Sequence, residues 1–275
     1  MWIEIRKLKQ IMTFHFTSKK NKIFKLDQAA RSIKRLTAIL ILFAVTFQNE
    51  KLFSQVIDVN ALHLGDRIFS SGRYLIDHEN GLHLIDAGQK QNDTIFVAVH
   101  GFRSQGYEWI YALKKMTATN NRTYFYRWDW TRCPDQASSN LYNELKDLLI
   151  SKPQIKHVIL FGHSYGGNIV TGISGMPNLG SIEIHSIAGA LIPMKRLKKN
   201  CPYFLGFQNH KSLYPHFQWR TVKDQDGAFK NLPFDPQVIE IDGSQIIQLP
   251  SKRPDGSRLG HNRSITWVVD YYFNN

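Results

Sequence analysis

Cysteine is scarce in this 275-residue sequence: Cys133 and Cys201 are the only two. A number that low excludes a disulfide-stapled scaffold, and their spacing holds no metal-ligand pattern. Nor does any apolar stretch reach the roughly 20 residues of a membrane-spanning helix. The sequence has no internal repeat and no low-complexity tract, which excludes solenoids and repeat arrays. It also lacks zinc-finger spacing and any RNA-recognition pattern, so nucleic acid is not an expected partner. Acidic residues are in deficit, with 22 Asp and Glu against 35 Lys and Arg, a net charge of +13.

That excess is local. Residues 1–35 hold ten Lys or Arg against only Glu4 and Asp27, so +8 of the charge sits there and +5 on the remaining 240 residues. An apolar run of twelve residues follows, Leu36 to Phe47, and ends abruptly at Gln48. As a helix it would span about 18 Å, short against a bilayer core of about 30 Å. A basic lead and a short apolar run have the layout of a secretory signal peptide. A retained anchor and a buried amphipathic helix are the alternatives, and Met12 is an alternative start that would shorten the lead. Either export reading puts the body outside the cytoplasm, since positive charge stays inside. The expected organisation is a basic N-terminal region, 1–52, and a globular domain, 53–275, large enough to bury a full core. In an exported protein Cys133 and Cys201 could form one bridge; two unpaired buried thiols are the alternative.

Within the body, Arg73 to Ile76 and Leu82 to Ile85 flank the turn-forming residues 78–81 and suggest a hairpin. From Thr94 onward strands alternate with helices. Thr94–Val99, Thr123–Trp130, His157–Phe161, Ile182–Ile187 and Gln218–Val222 read as strands. Tyr107–Thr117, Ser138–Ile150, Gly166–Ile173 and Ser264–Phe273 read as helices. Val238–Ile241 and Gln245–Gln248, around Asp242-Gly243, suggest another hairpin. The alternation predicts an α/β protein with a mostly parallel central sheet and helices on both faces. Ligands of such sheets bind beyond the carboxyl ends of the strands.

The sharpest motif is Gly162-His163-Ser164-Tyr165-Gly166. It fits G-x-S-x-G, follows a buried strand and opens a helix, as a nucleophile elbow requires. Ser164 is the candidate nucleophile. A serine hydroxyl needs a base, and in this architecture the chain order is serine, acid, histidine. His185 lies inside a strand, and His210 and His216 precede the fifth strand, too early for that order. His261 follows Gly260 in a loop before the last helix and is the candidate base. Asp226 and Asp224 follow the fifth strand; Asp226, at an Asp-Gly turn with Phe229 able to pack beneath, is the first choice and Asp224 the reserve. The backbone N–H groups of Tyr165 and Phe102 are the candidate oxyanion donors, while His100 reads as structural.

Taken together, VHGF at 99–102, GHSYGG at 162–167, DG at 226–227 and GH at 260–261 resemble the α/β-hydrolase family, particularly its lipase and esterase branch. The resemblance covers roughly residues 55–275. It implies a Ser164–His261–Asp226 triad acting through an acyl-enzyme on a carboxylic ester or lipid, with no metal or organic cofactor. Thioester or amide hydrolysis on the same triad is an alternative, as is a non-catalytic ligand-binding domain. The resemblance also implies a small lid at about 189–216, where basic residues from Lys195 to Lys199 stand beside aromatic ones; a membrane surface is a candidate contact for such a segment. A Cys133–Cys201 bridge would tie that lid down.

Overall fold

Continuous β-branched and aromatic runs build the centre of a seven-stranded sheet in the computed structural model, which describes residues 56–86, 88 and 92–274. The basic N-terminal region, with its signal-peptide or anchor reading, lies outside the described residues. The strands are β1 (Gly81–Ile85), β2 (Thr94–Val99), β3 (Arg122–Arg127), β4 (His157–His163), β5 (Ser181–Ile187), β6 (Lys211–Arg220) and β7 (Asp242–Gln248). Their spatial order is β1-β3-β2-β4-β5-β6-β7. Only β1 runs antiparallel to its neighbour; the remaining pairs are parallel.

Six α-helices among the described residues accompany the sheet: α1 (Ile68–Ile76), α2 (Tyr107–Thr117), α3 (Pro134–Ser151), α4 (Tyr165–Ser174), α5 (Lys195–Asn200) and α6 (Gly260–Asn274). Alternate residues of each strand face opposite sides, and two cores result. Phe96 and Ala98 pack with Ile110 and Leu113 of α2 and Val268 of α6. Ile95, Val97 and Val99 pack with Leu141 and Leu145 of α3 and Ile169 and Val170 of α4. A central sheet that is parallel but for its first strand, covered by helices on both sides, is the α/β-hydrolase fold.

Several boundaries differ from the expectation, each for a physical reason. The hairpin around residues 78–81 does not form. Ile68–Ile76 is a helix that buries Ser71, Gly72 and Leu75, and β1 pairs instead with β3. The second hairpin is also absent: β7 is a single strand parallel to β6, and Asp242-Gly243 opens it rather than turning it. β6 starts at Lys211, seven residues earlier than expected, so His216 is a strand residue. The register shifts between Lys211 and His216, on either side of Pro215, which has no N–H for the ladder. The insertion between β5 and β6 is correspondingly shorter than the expected 189–216, because residues from Lys211 onward belong to the sheet. Finally, α6 begins at Gly260, which puts His261 in its first turn and not in a preceding loop.

Candidate active site

β4 ends at His163 and α4 begins at Tyr165, leaving Ser164 alone to make the turn. Its backbone sits at φ 56°, ψ −116°, a conformation costing a non-glycine residue on the order of 1–3 kcal/mol. The surroundings hold it there. A Cβ on Gly162 would lie 2.3 Å from the Gly166 carbonyl oxygen, and one on Gly166 would lie 2.3 Å from that of Val99. Only glycine allows β4, α4 and the end of β2 to approach so closely. The Ser164 N–H donates to the Ile187 carbonyl at 2.9 Å, which ties the turn to β5.

The loop after β2 presses on this elbow. A Cβ on Gly101 would fall 3.0 Å from both the His163 carbonyl and the Ser164 Cβ. His100 fixes the loop from beneath. It is fully buried, its Nδ1–H donating to the Gly101 carbonyl at 2.8 Å and its Nε2 accepting from the Trp128 N–H at 3.2 Å. Burial pushes its pKa down to about 3, so the ring is neutral and serves as a structural brace. Phe102 follows in the loop and borders the cleft beside Ser164 and Tyr165. The Tyr165 N–H lies in the first turn of α4, where backbone donors have no intrahelical acceptor.

Asp226 is wholly buried just after β6, and its Oδ2 lies 2.8 Å from His261 Nδ1. The Thr221 hydroxyl donates to Oδ2 at 2.5 Å, and the N–H groups of Ala228 and Phe229 donate to Oδ1 at 2.8 and 3.2 Å. Burial pushes this carboxyl up, but the His261 hydrogen bond and charge, with Thr221 and Ala228, outweigh it and leave the pKa lowered. An ionised Asp226 only accepts, so Nδ1 of His261 carries the proton and Nε2 is left as the acceptor. Asp224 stands apart, its side chain 87% exposed beside Lys223. Phe229 packs its ring edge-on to His261, centroids 4.9 Å apart.

Ser164 and His261 border one cleft of about 300 Å³, whose far wall is α5. A smaller cavity of about 140 Å³ borders the same two residues on the side of α2. A wider surface groove of about 390 Å³, lined by Arg253, Trp267 and Tyr271, contains neither of them. Among the described residues, no group of three or more His, Cys, Asp or Glu could hold a metal ion, and no helix is long and apolar enough to cross a membrane.

The other candidate histidines lie elsewhere. His185 is packed within the sheet between Trp219 and Glu183; His210 contacts Ser174 and His216 contacts Thr171, both on α4. Two site-adjacent groups, His163 and Glu108, were given no role by the sequence, and a third, Arg196, was only one member of the basic run from Lys195 to Lys199. His163 is buried against His261, ring centroids 4.5 Å apart, its Nε2 3.2 Å from the His261 carbonyl. Burial and the His261 charge lower its pKa well below the usual range. Glu108, in the first turn of α2, accepts from the Ser104 hydroxyl, and its other oxygen is buried without a partner among the described residues. Burial outweighs that hydrogen bond and raises its pKa. Arg196 lies over the Phe102 ring, 3.9 Å from Cζ to centroid. The only signals available were an acid shortly after the loop that follows β2 and a basic run between β5 and β6. Cys133 and Cys201 are joined in a disulfide, which ties the start of α3 to the end of α5.

No protein-family model matches the chain, and no curated protein does. Solved structures similar to it include a lipase-esterase related protein from Clostridium acetobutylicum, at 14% identity and TM-score 0.46, covering 70% of this chain and 98% of that one. An alpha-beta serine hydrolase homologue from Coxiella burnetii is 12% identical, with TM-score 0.44 and coverages of 70% and 90%. Est1E from Butyrivibrio proteoclasticus is 10% identical, with TM-score 0.44 and coverages of 70% and 91%. At such identities the likeness concerns the fold.

Proposed function

We propose that the protein is a serine hydrolase that cleaves carboxylic esters by acyl transfer to water. The observation that carries this reading is a buried, ionised Asp226 fixing Nδ1 of His261, with His261 sharing a cleft with a serine held on a strained turn. In the proposed sequence Nε2 of His261 takes the Ser164 proton as Oγ attacks the ester carbonyl. The N–H groups of Phe102 and Tyr165 hold the oxyanion, a role worth several kcal/mol where donors are preorganised. His261 then protonates the leaving alcohol, and water repeats the path to release the acid and regenerate Ser164. Asp226 keeps the imidazole in the productive tautomer and stabilises its cation. This path requires no metal or organic cofactor.

The cleft, about 300 Å³, lies at the lower end of ordinary small-molecule sites, which favours short or compact substrates over bulky triacylglycerols. Export of the body is part of the same proposal. It rests on the basic lead and apolar run of residues 1–52, and the Cys133–Cys201 bridge fits an oxidising compartment.

Steady-state hydrolysis of 4-nitrophenyl acetate, butyrate and decanoate by the full chain tests the reading. The expected result is turnover of the two shorter esters, reduced by roughly 10⁴-fold or more in both Ser164→Ala and His261→Gln. Turnover undiminished in Ser164→Ala would overturn it.

A further inference from the structure

The cleft has a charge asymmetry that ester hydrolysis does not call for. Its lining contains two cationic side chains, Arg132 and Arg196, and no Asp or Glu. Of the carboxylates behind it, Asp226 is buried and already engaged by His261, and Glu108 lies on the α2 side, where its carboxylate accepts from the Ser104 hydroxyl. The two arginines differ in their partners. Arg132 is bridged by Asp129 at 3.4 Å, which partly neutralises it. Arg196 has no acidic partner among the described residues, and its guanidinium carbon lies over the Phe102 ring, 3.9 Å from the centroid.

The placement of Arg196 is held from three sides. Leu197, the next residue of α5, is buried and anchors the helix. The Cys133–Cys201 bridge closes the end of α5, and the Phe102 ring supports the guanidinium from below. A guanidinium over an aromatic face keeps N–H donors free for an oxyanion. It is also pre-oriented, so less side-chain freedom is lost on binding. Around it, Phe102, Trp130, Met194, Leu197 and Phe229 supply an apolar lining. The combination fits an amphiphilic ligand with an apolar body and one negative group.

We propose that the preferred substrates are esters that carry an anionic oxyacid group, carboxylate or phosphate, near the scissile bond, and that Arg196 is the residue that selects for it. This rests on the ester-hydrolase reading above. Arg196 lies over the Phe102 ring and lines the same cleft as Ser164 and His261, so the anion is recognised in the cleft that holds the ester. Arg132, already shared with Asp129, contributes less.

Two matched substrate pairs, given to the full chain, test the proposal. Mono-4-nitrophenyl glutarate is compared with its methyl-capped neutral diester, which places a carboxylate on the acyl side. Hexanoyl glycerol phosphate is compared with monohexanoyl glycerol, which places a phosphate on the alcohol side. The quantity read is the ratio of kcat/KM, anionic over neutral, so that a general change in activity cancels. A preference of about tenfold is expected for at least one pair, the scale of one hydrogen bond to a charged group at a solvent-facing site. Arg196→Gln should bring that ratio to near one, Arg196→Lys should restore part of it, and added salt should lower it in the wild type. The pair that shows the preference identifies the source of the anion. Ratios near one for both pairs in the wild type, or a preference that survives in Arg196→Gln, would overturn the proposal while leaving the hydrolase reading intact. Failure of the wild type to turn over any of the four esters would instead count against the hydrolase reading itself.

Discussion

The two walls of the cleft are built on opposite principles. One wall is built where the carboxyl ends of the sheet meet α6: Ser164 on a strained turn after β4, Asp226 after β6 with no exposed surface, His261 in the first turn of α6, pinned between Asp226, His163 and Phe229. Backbone contacts at Gly162 and Gly166 leave no room for a single added carbon. The other wall is α5, six residues long and mostly exposed, with Leu197 buried and one disulfide holding its end. The contrast teaches where each task has been placed. Positions that must be accurate to a fraction of an ångström are over-determined by the core, whereas positions that meet a variable ligand sit on a short element kept near the core by one covalent bond. Chemistry should therefore be brittle to substitution and selectivity tunable.

After the loss of Ser164 or His261 themselves, the largest effect expected on the sheet wall is that of Asp226→Asn. The amide would favour the wrong tautomer of His261, and kcat should fall by roughly 10⁴-fold with little change in KM. Asp224→Asn provides the matching control at the other extreme: an exposed residue beside Lys223 should leave kcat and KM within about twofold of wild type, as surface substitutions do. Steady-state kinetics of the two variants side by side measure the distance between a buried and an exposed acid two residues apart.

Acid should attack the sheet wall next. His100, beneath the oxyanion loop, and His216, beneath α4, are both pushed down to about 3 by burial. In the unfolded chain each takes up a proton near its usual value of about 6.5; in the folded protein it does so only near 3. The stability they confer is thus complete above pH 6.5 and is lost as pH falls through that interval. Urea unfolding followed from pH 7 to pH 4 should show a falling midpoint, less steep in His216→Gln. An equal slope in that variant would remove His216 from the account.

The α5 wall should respond to reduction. A bridge closing a loop of this size stabilises by about 2–4 kcal/mol, so the Cys133→Ser, Cys201→Ser double variant should melt at lower temperature. Loosening α5 should raise KM more than it lowers kcat, since no atom of that helix takes part in bond making. A loss of kcat at constant KM would show that the two walls are not separable in the way their construction suggests.

How much of this was legible depended on which kind of contact makes each element. The elbow announces itself because three things coincide at Ser164: a buried strand before it, a helix after it and glycine on both flanks, each demanded by local geometry. The parallel core strands were legible for the same reason, as continuous apolar runs. β6 was legible only in its second half: Pro215 and the polar residues around it hide a strand that bends and shifts register. α1 was missed because Arg73-Tyr74-Leu75-Ile76 reads equally as a strand, and only Gly72, packed against the Tyr107 N–H, reveals a helix against α2. Asp226 and Asp224 could be ranked but not separated by sequence, since burial decides between them. Arg196 was visible only as one of several basic residues. Its position over Phe102 joins segments 94 positions apart, and no local pattern carries such a contact.

The central claim is that Ser164 is an activated nucleophile, and covalent labelling tests it most directly. The full chain would be treated with a fluorophosphonate probe and the adduct located by mass spectrometry, with Ser164→Ala and His261→Ala alongside. The account predicts a single adduct on Ser164, absent from the first variant and sharply reduced in the second. Folded wild-type protein that takes up no probe, or an adduct on another serine that survives in Ser164→Ala, would contradict it.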